Sequence, residues 1–423
     1  MPVMSLYTLI LLLFLVSLLV SASVSAKNSP EAPKVTVKVV ANGDSVTSPD
    51  FCHSIVVGAG VNEPDSFPGY NGFVGWESPI RLSNGDLLVG FNAGYWHGSP
   101  PTQFDGGAMD RFKEAWDMGM PKVDAPRGGR AMLVRSTDSG KTWSKPWTLA
   151  DTPWDDRHPA FLEMPDGTII ATFFMFRFAD DKLRSNYGCQ TMVTLSKDHG
   201  ATWSEPKKIH SPFIMDETDG PLLLAKDGSV YMAINGRPSN GTDPEQMAIF
   251  RFTNAGKDWK ILSILKTGHD LLEPTITQLP DGTMIVLARP EGDMAWSYDN
   301  GKTWTPFTSL GMRLYAPSLQ VLKDGTLLSI HGSYGAGGLR CTFSRDGGKT
   351  WIAPAPNYGF LIDNTYGYGK GVQLPDGSIF ITYIKSGGHS TGDAATNAVM
   401  NIRMRIRSDY SGIDLLPALN KTD

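Results

Sequence analysis

Six residues at matching places in six similar stretches of the chain could do chemistry together: Glu77, Arg157, Asp219, Glu273, Tyr315 and Tyr368. Each stands at the start of an apolar run, five of them next to or two residues before a proline. If those runs are strands converging on one axis, the six side chains meet at one mouth. The set mixes carboxylates, a guanidinium and phenols, where a structural plug would be apolar. A carboxylate beside a phenol can draw off its proton and make the oxygen a nucleophile. A neutral attacker of that kind suits an anomeric carbon bearing a carboxylate, because it avoids like-charge repulsion. Convergent polar groups in a concave mouth fit a carbohydrate site. The same ring could also be a solvated channel lining with no chemistry.

The elements that must position these residues are written in two interleaved repeats. One reads P-x-x-x-x-L-x-D-G-T-L or close to it, with turns at Asn84-Gly85, Asp166-Gly167, Asp227-Gly228, Asp281-Gly282, Asp324-Gly325 and Asp376-Gly377. Apolar runs flanking an Asp-Gly or Asn-Gly pair predict hairpins with two-residue turns. The other reads S-x-D-x-G-x-T-W, at Ser136–Trp143, Ser196–Trp203, Ser297–Trp304 and Ser344–Trp351, with a degraded copy at Phe252–Trp259. Its Asp can accept backbone N–H bonds inside a turn, its Gly takes positive φ, and its Trp can pack beneath the turn. These residues serve the turn and are not expected to be catalytic or metal-binding. Each unit then holds about four strands, and six such units predict an all-β, six-bladed β-propeller. The sixth unit is one strand short, so a strand near Val35–Val40 or Ser54–Val57 should complete it and close the ring with both termini. A short helix is conceivable only at Asp110–Met118, inside the long first-unit loop.

Composition bounds the function. The 423 residues carry a formal net charge of −5 with both signs interspersed, so nucleic acid is not an expected partner. Residues 1–26 read as a secretion signal, an apolar stretch too short to span a membrane comfortably followed by small residues ending at Ala26. The rest, residues 27–423, reads as one propeller domain, secreted or periplasmic and without stable membrane insertion once the signal is cleaved. Three cysteines (Cys52, Cys189, Cys341) are too few for a disulfide scaffold and read as buried thiols. No zinc, calcium or nucleotide motif is present, so no metal and no cofactor is expected.

With the Asp boxes, the six units and the leader, the chain resembles the sialidase (neuraminidase) family, across nearly all of its mature length. That resemblance implies a glycan or glycoconjugate substrate and a set of roles. Glu273, at the start of the fourth unit, falls where the family has the base that activates the nucleophile, and Arg289, at the end of the next strand, where it has a carboxylate-binding Arg. Tyr368 falls on the family's nucleophile. Asp124, a dozen residues before the first Asp box, falls on its acid/base. The resemblance also implies three carboxylate-binding arginines. Glu77 occupies the place of the first, counted two residues before Pro79, and no Arg precedes Leu339 for the third, with Arg340 placed in the strand itself. Arg157, two residues before Pro159, should sit level with Glu77 and could replace it. Arg157, Arg289, Glu77, Asp219 and Tyr315 are thus the expected substrate-binding residues.

The reading is an exo-acting glycoside hydrolase for sialic acid or another acidic sugar. Two others stay open: a polysaccharide lyase using Arg157, His158 and a ring Tyr, and a noncatalytic glycan-binding propeller. His158 otherwise reads as structural. Tyr95-Trp96-His97 and Phe112–Trp116 could stack on sugar rings or pack within their loop.

Overall fold

The computed structural model describes residues 30–40, 52–58, 60–101, 125–178, 187–253, 258–365, 367–385 and 397–419. Every hairpin signal in them builds the same unit. In the first, Gly85 N–H donates to Leu82 O (2.9 Å) and Leu82 N–H to Asp86 O (2.8 Å), and five more turns repeat this pair of bonds. Three residues therefore separate the closing pair, not the two expected. The third is the glycine, at φ +98° in Gly85, which is the three-residue hairpin with a left-handed bulge residue.

Six sheets result, antiparallel throughout except for one strand added at a rim. Blade one runs Phe73–Arg81, Leu87–Gly94, Arg130–Ser136, Trp147–Ala150, and blade two Asp155–Glu163, Ile169–Phe178, Tyr187–Ser196, Lys207–Lys208. In blade three the inner strand is split into Met215–Glu217 and Leu223–Leu224, both paired with Val230–Arg237. Blades four, five and six begin with Leu272–Gln278, Leu314–Val321 and Gly369–Gln373. Ser54–Gly58 and Ile413–Leu416 both pair with Ala398–Ile406 of blade six, so strands from the two ends of the chain finish that blade together. Thr36–Val39 adds in parallel to the rim of blade five. No α-helix occurs among the described residues, and Asp110–Met118 lies outside them.

The core lies between the blades. Apolar clusters fill each successive gap, from blades one and two (Leu88, Leu133, Phe161, Phe173) round to blades six and one (Val57, Val89, Phe91, Phe380). The Asp boxes clip the third strand to the fourth and seal these gaps. Asp138 accepts the Thr142 N–H (2.9 Å) and hydroxyl (2.5 Å), while Ser136 Oγ accepts the Gly140 N–H (2.8 Å). Asp198 and Asp299 repeat this arrangement, and Asp346 repeats its backbone bond. The box tryptophan reaches the preceding blade: Trp351 is fully buried against Leu287 and Trp296 of blade four, and Trp304 Nε1 donates to Ser263 Oγ of blade three (3.0 Å). The three cysteines are free and buried.

One irregularity recurs on the inner strands and aims the site. In blades one, two, four and five the pairing slips after Gly75, Arg157, Leu272 and Tyr315, so that three steps on the inner strand span two on its neighbour. Such a bulge re-aims a side chain. Its first residue has positive φ in all four: Trp76 (55°), His158 (52°), Glu273 (45°) and Ala316 (47°). For residues other than glycine this conformation costs on the order of 1–3 kcal/mol each and is typical of functional sites.

Candidate active site

These bulges put Trp76, His158 and Glu273 around one cavity of about 280 Å³ at the axis, with Tyr368 from the turn into blade six. The wall is completed by Arg157, Phe174 and Phe176 of blade two, Glu217, Asp219, Arg237 and Glu245 of blade three, Asp270, Leu272 and Arg289 of blade four, and His97. The cavity is just below the range of drug-sized pockets, roughly 300–1,000 Å³, and suits one small polar unit.

The chemistry centres on Glu273. Tyr368 donates its hydroxyl to Glu273 Oε1 at 2.5 Å. Arg289 Nη1 reaches the same oxygen at 3.1 Å and donates to Tyr368 Oη at 3.3 Å. Ala316 N–H holds the other carboxylate oxygen at 2.7 Å, and Asn235 Oδ1 accepts the Glu273 N–H at 3.1 Å. Burial raises the Glu273 pKa above the ordinary carboxylate range, and Asp219 adds to this, against the pull of Arg289 and the Tyr368 hydrogen bond. A carboxylate held in hydrogen-bond contact with a phenol, with a guanidinium touching both groups, can make and stabilise a phenolate. Tyr315 stands behind this group. Its hydroxyl accepts the Gly367 N–H (3.2 Å), and its ring lies 5.7 Å from that of Tyr368, outside the cavity lining.

Blade two supplies a second centre. His158 Nδ1 meets Asp219 Oδ1, which Lys370 Nζ also approaches at 3.3 Å. The imidazole stacks on Trp76 at 4.9 Å and 13°. Arg157 lies over the rings of Trp76 (4.9 Å), Phe176 (5.3 Å) and Phe174 (5.6 Å). Blade three supplies an acidic wall. Asn235 Nδ2 bridges Glu217 Oε1 (3.1 Å) and Glu245 Oε2 (2.9 Å), and Arg237 holds Glu245 at 3.3 Å.

A model of the BNR repeat-like domain matches residues 132–381, more than half of the chain. The chain belongs to the BNR repeat-like family. A curated sialidase from Bacteroides fragilis is 23% identical over 291 residues, 67% of this chain, which spans 44% of that protein's length. Among solved structures, a Dyadobacter fermentans protein described as of unknown function superposes with a TM-score of 0.63 at 17% identity, covering 84% of this chain and 100% of its own. An intramolecular trans-sialidase from Ruminococcus gnavus, in complex with oseltamivir carboxylate, gives 0.57 at 14%, covering 82% and 99%. At these identities the likeness is one of fold, the sialidase-like six-bladed propeller.

Within this BNR repeat-like chain the expected residues divide. Tyr368, Glu273, Arg289, Arg157 and Asp219 line one cavity. Asp124 lies outside the described residues, as do Phe112–Trp116. Glu77 does not stand level with Arg157. The slip in pairing places Gly75 opposite Asn92 as Arg157 stands opposite Phe174, and puts Glu77 where blade two has Pro159. Glu77 is therefore buried at the axis, outside the cavity lining, and burial raises its pKa to about 7. The place level with Arg157 belongs to Gly75. Arg340 is spent on backbone carbonyls, those of Gly337 (2.7 Å), Gly359 (2.9 Å) and Ala336 (3.3 Å), and does not line the cavity. Tyr95 and Trp96 are buried in their loop, whereas His97 reaches the cavity. The sequence reading missed Trp76, Glu217, Arg237 and Glu245. Arg237 had a signal, since it ends the second strand of its unit as Arg289 does.

Proposed function

We propose that the protein is an exo-acting glycoside hydrolase with sialidase-like machinery. The Tyr368–Glu273–Arg289 contact set supports this reading above all. Tyr368 Oη attacks the anomeric carbon of a terminal sugar, its proton passing to Glu273 Oε1 as the bond to the leaving oxygen breaks. Asp124 gives the leaving oxygen its proton. Water then attacks the same carbon, Asp124 takes a proton from it, and Tyr368 recovers its own from Glu273. A tyrosine nucleophile in place of a carboxylate is a recognised variant of retaining glycoside hydrolysis. Arg289 stabilises the phenolate as it forms and leaves. The small cavity supports action on one terminal residue at a time.

The experiment is a screen of the purified protein against aryl sialosides, uronides and neutral glycosides, followed by intact-mass detection of a glycosyl adduct on Tyr368. Products with a new ultraviolet-absorbing double bond would show elimination in place of hydrolysis. Binding without any product would leave a glycan-binding propeller. We also read the protein as exported, with residues 1–26 removed. N-terminal sequencing of secreted material should begin at Lys27, and a mature chain starting at Met1 or Pro2 would overturn this. Among the described residues no helix is long and apolar enough to cross a membrane.

A further inference from the structure

The three cavity arginines are not equally engaged. Arg289 is bonded to Glu273 and Tyr368, and Arg237 to Glu245. The Arg157 guanidinium makes no hydrogen bond with any described residue, and the charge it pairs with is Asp155 Oδ2, 3.8 Å from Nε. The guanidinium instead lies over the rings of Trp76, Phe174 and Phe176, contacts that restrain it without using its N–H donors. A planar guanidinium so placed matches a carboxylate with two parallel hydrogen bonds.

The next residue is as closely held. The bulge turns the His158 side chain to the cavity, at the place in its blade where blade four carries Glu273. Trp76 stacks on one face of the ring, Phe174 packs at 4.9 Å, and Asp219 takes Nδ1. Lys370 Nζ reaches the same Asp219 oxygen at 3.3 Å. A carboxylate on Nδ1 keeps the proton there and leaves Nε2 as a lone-pair acceptor. Burial agrees with this, lowering the imidazole pKa to about 4 with help from Arg157 and Lys370 and against Asp219, so the ring is neutral at ordinary pH. Blade two thus presents a carboxylate-binding donor pair and, on the adjoining residue, a hydroxyl acceptor.

We infer that Arg157 and His158 form a subsite for a sugar whose carboxylate is flanked by a hydroxyl, which is the chemistry of a terminal uronic acid, with Asp219 and Lys370 as positioning residues. In a pyranuronic acid the carbon next to the one bearing the carboxylate carries a hydroxyl. In a sialoside the ring carbon next to the carboxylate-bearing one is a methylene, and the oxygen on the carboxylate-bearing carbon is glycosylated and has no hydrogen, so no hydroxyl beside the carboxylate is offered to His158. The inference rests on the glycosidase reading for what happens at the anomeric carbon, but binding alone can test it.

The test uses the full chain with Tyr368→Phe, titrated calorimetrically with D-glucuronate, D-galacturonate, N-acetylneuraminate as its methyl α-glycoside, and D-glucose. One of the uronates should bind at least about tenfold more tightly than both N-acetylneuraminate and glucose, the worth of one charge-assisted bond. Arg157→Gln should abolish that preference. His158→Leu should weaken uronate binding about tenfold while His158→Gln, whose amide oxygen still accepts, retains most of it. In ¹⁵N-histidine spectra, the ring that disappears with His158→Gln should show a protonated Nδ1 and a bare Nε2, and the Nε2 signal should move on adding the uronate. Equal or tighter binding of N-acetylneuraminate or glucose, a preference that survives Arg157→Gln, a protonated Nε2, or no binding by any of the four would each overturn the inference. A uronate bound tightly but not hydrolysed by the wild type would retain this subsite and discard the hydrolase reading.

Discussion

Glu77→Gln should make the protein more stable at pH 8 and leave it unchanged near pH 4. Glu77 is 2% exposed, and its Oε2 has no hydrogen-bond partner among the described residues. Burial raises its pKa from 4.5 to about 7, with Asp219 adding to the rise and the Glu77 N–H and Lys370 opposing it. Below pH 4.5 the group is protonated in both folded and unfolded chains and contributes nothing to pH dependence. As pH rises towards 7 the unfolded chain ionises first, which favours unfolding, and the loss is complete above the folded value. A rise of about 2.5 units at 1.36 kcal/mol per unit gives a cost of roughly 3 kcal/mol at pH 8. Glutamine carries no charge to bury, so the stability difference between variant and wild type should grow from near zero at pH 4 to that order by pH 8. The assay is denaturant or thermal unfolding of both proteins at five pH values. Taking the difference cancels groups common to both, such as Asp156, whose pKa burial also raises, to about 8. A difference that is flat with pH, or a glutamine variant less stable at pH 8, would refute the placement of Glu77 as a buried, poorly paired carboxyl.

Glu273→Gln should lower kcat by about 10²–10⁴ with KM changed only a few-fold, since it removes a base and leaves the cavity's shape; turnover within tenfold of wild type would show that Tyr368 is not activated there. Tyr368→Phe should abolish both hydrolysis and the glycosyl adduct while thermal unfolding stays near wild type, and an adduct on another residue would move the nucleophile. Arg340→Gln should lower the melting temperature, because three backbone carbonyls lose their donor, but leave KM unchanged; a raised KM would return Arg340 to the site. Trp351→Ala should cost about 3–5 kcal/mol of stability as a fully buried indole is lost from between two blades, and a variant as stable as wild type would deny the box tryptophans their sealing role.

The architecture was legible because its signals are local. Each turn glycine and each Asp box completes its hydrogen bonds within a few residues, so six units could be counted without knowing how they pack. The site was legible only where one residue type is rare at its place. Glu273 before Pro274, Arg289 at a strand end and Tyr368 before Gly369 stand out against apolar runs, and the structure brings them within hydrogen-bond reach of one another. The acidic wall was not legible. Glu217 and Glu245 are close only because one amide, Asn235, bridges them from the neighbouring strand, a relation with no sequence spacing of its own. His158 was read as structural because sequence shows neither the bulge that turns it inward nor Asp219, sixty-one residues on, that holds it.

The misplacement of Glu77 has a definite cause that bears on specificity. Counting from prolines assumes that each lies equally far from its turn. Pro159, Pro274 and Pro317 stand eight residues before their turn glycines, but Pro79 stands only six before Gly85. Counting back from the glycine puts Glu77 at the proline's place and Gly75 at the arginine's, as the strand pairing does. Blade one therefore carries a glycine at the place where blade two carries Arg157, and a side chain there would press on the end of a neighbouring one. A Cβ at Gly75 would lie 3.0 Å from Ile384 Cδ1. Glu77→Arg would therefore bury a second cation beside Lys370 and bring no guanidinium into the cavity, so it should destabilise the protein without improving sialoside binding. Improved sialoside binding in that variant, measured against the wild type by calorimetry, would show that the proline count was right and the strand register wrong. With glycine at position 75 and Arg340 bonded to backbone carbonyls, Arg157 is the least engaged of the described cavity arginines, and the proposed acidic-sugar specificity rests on blade two.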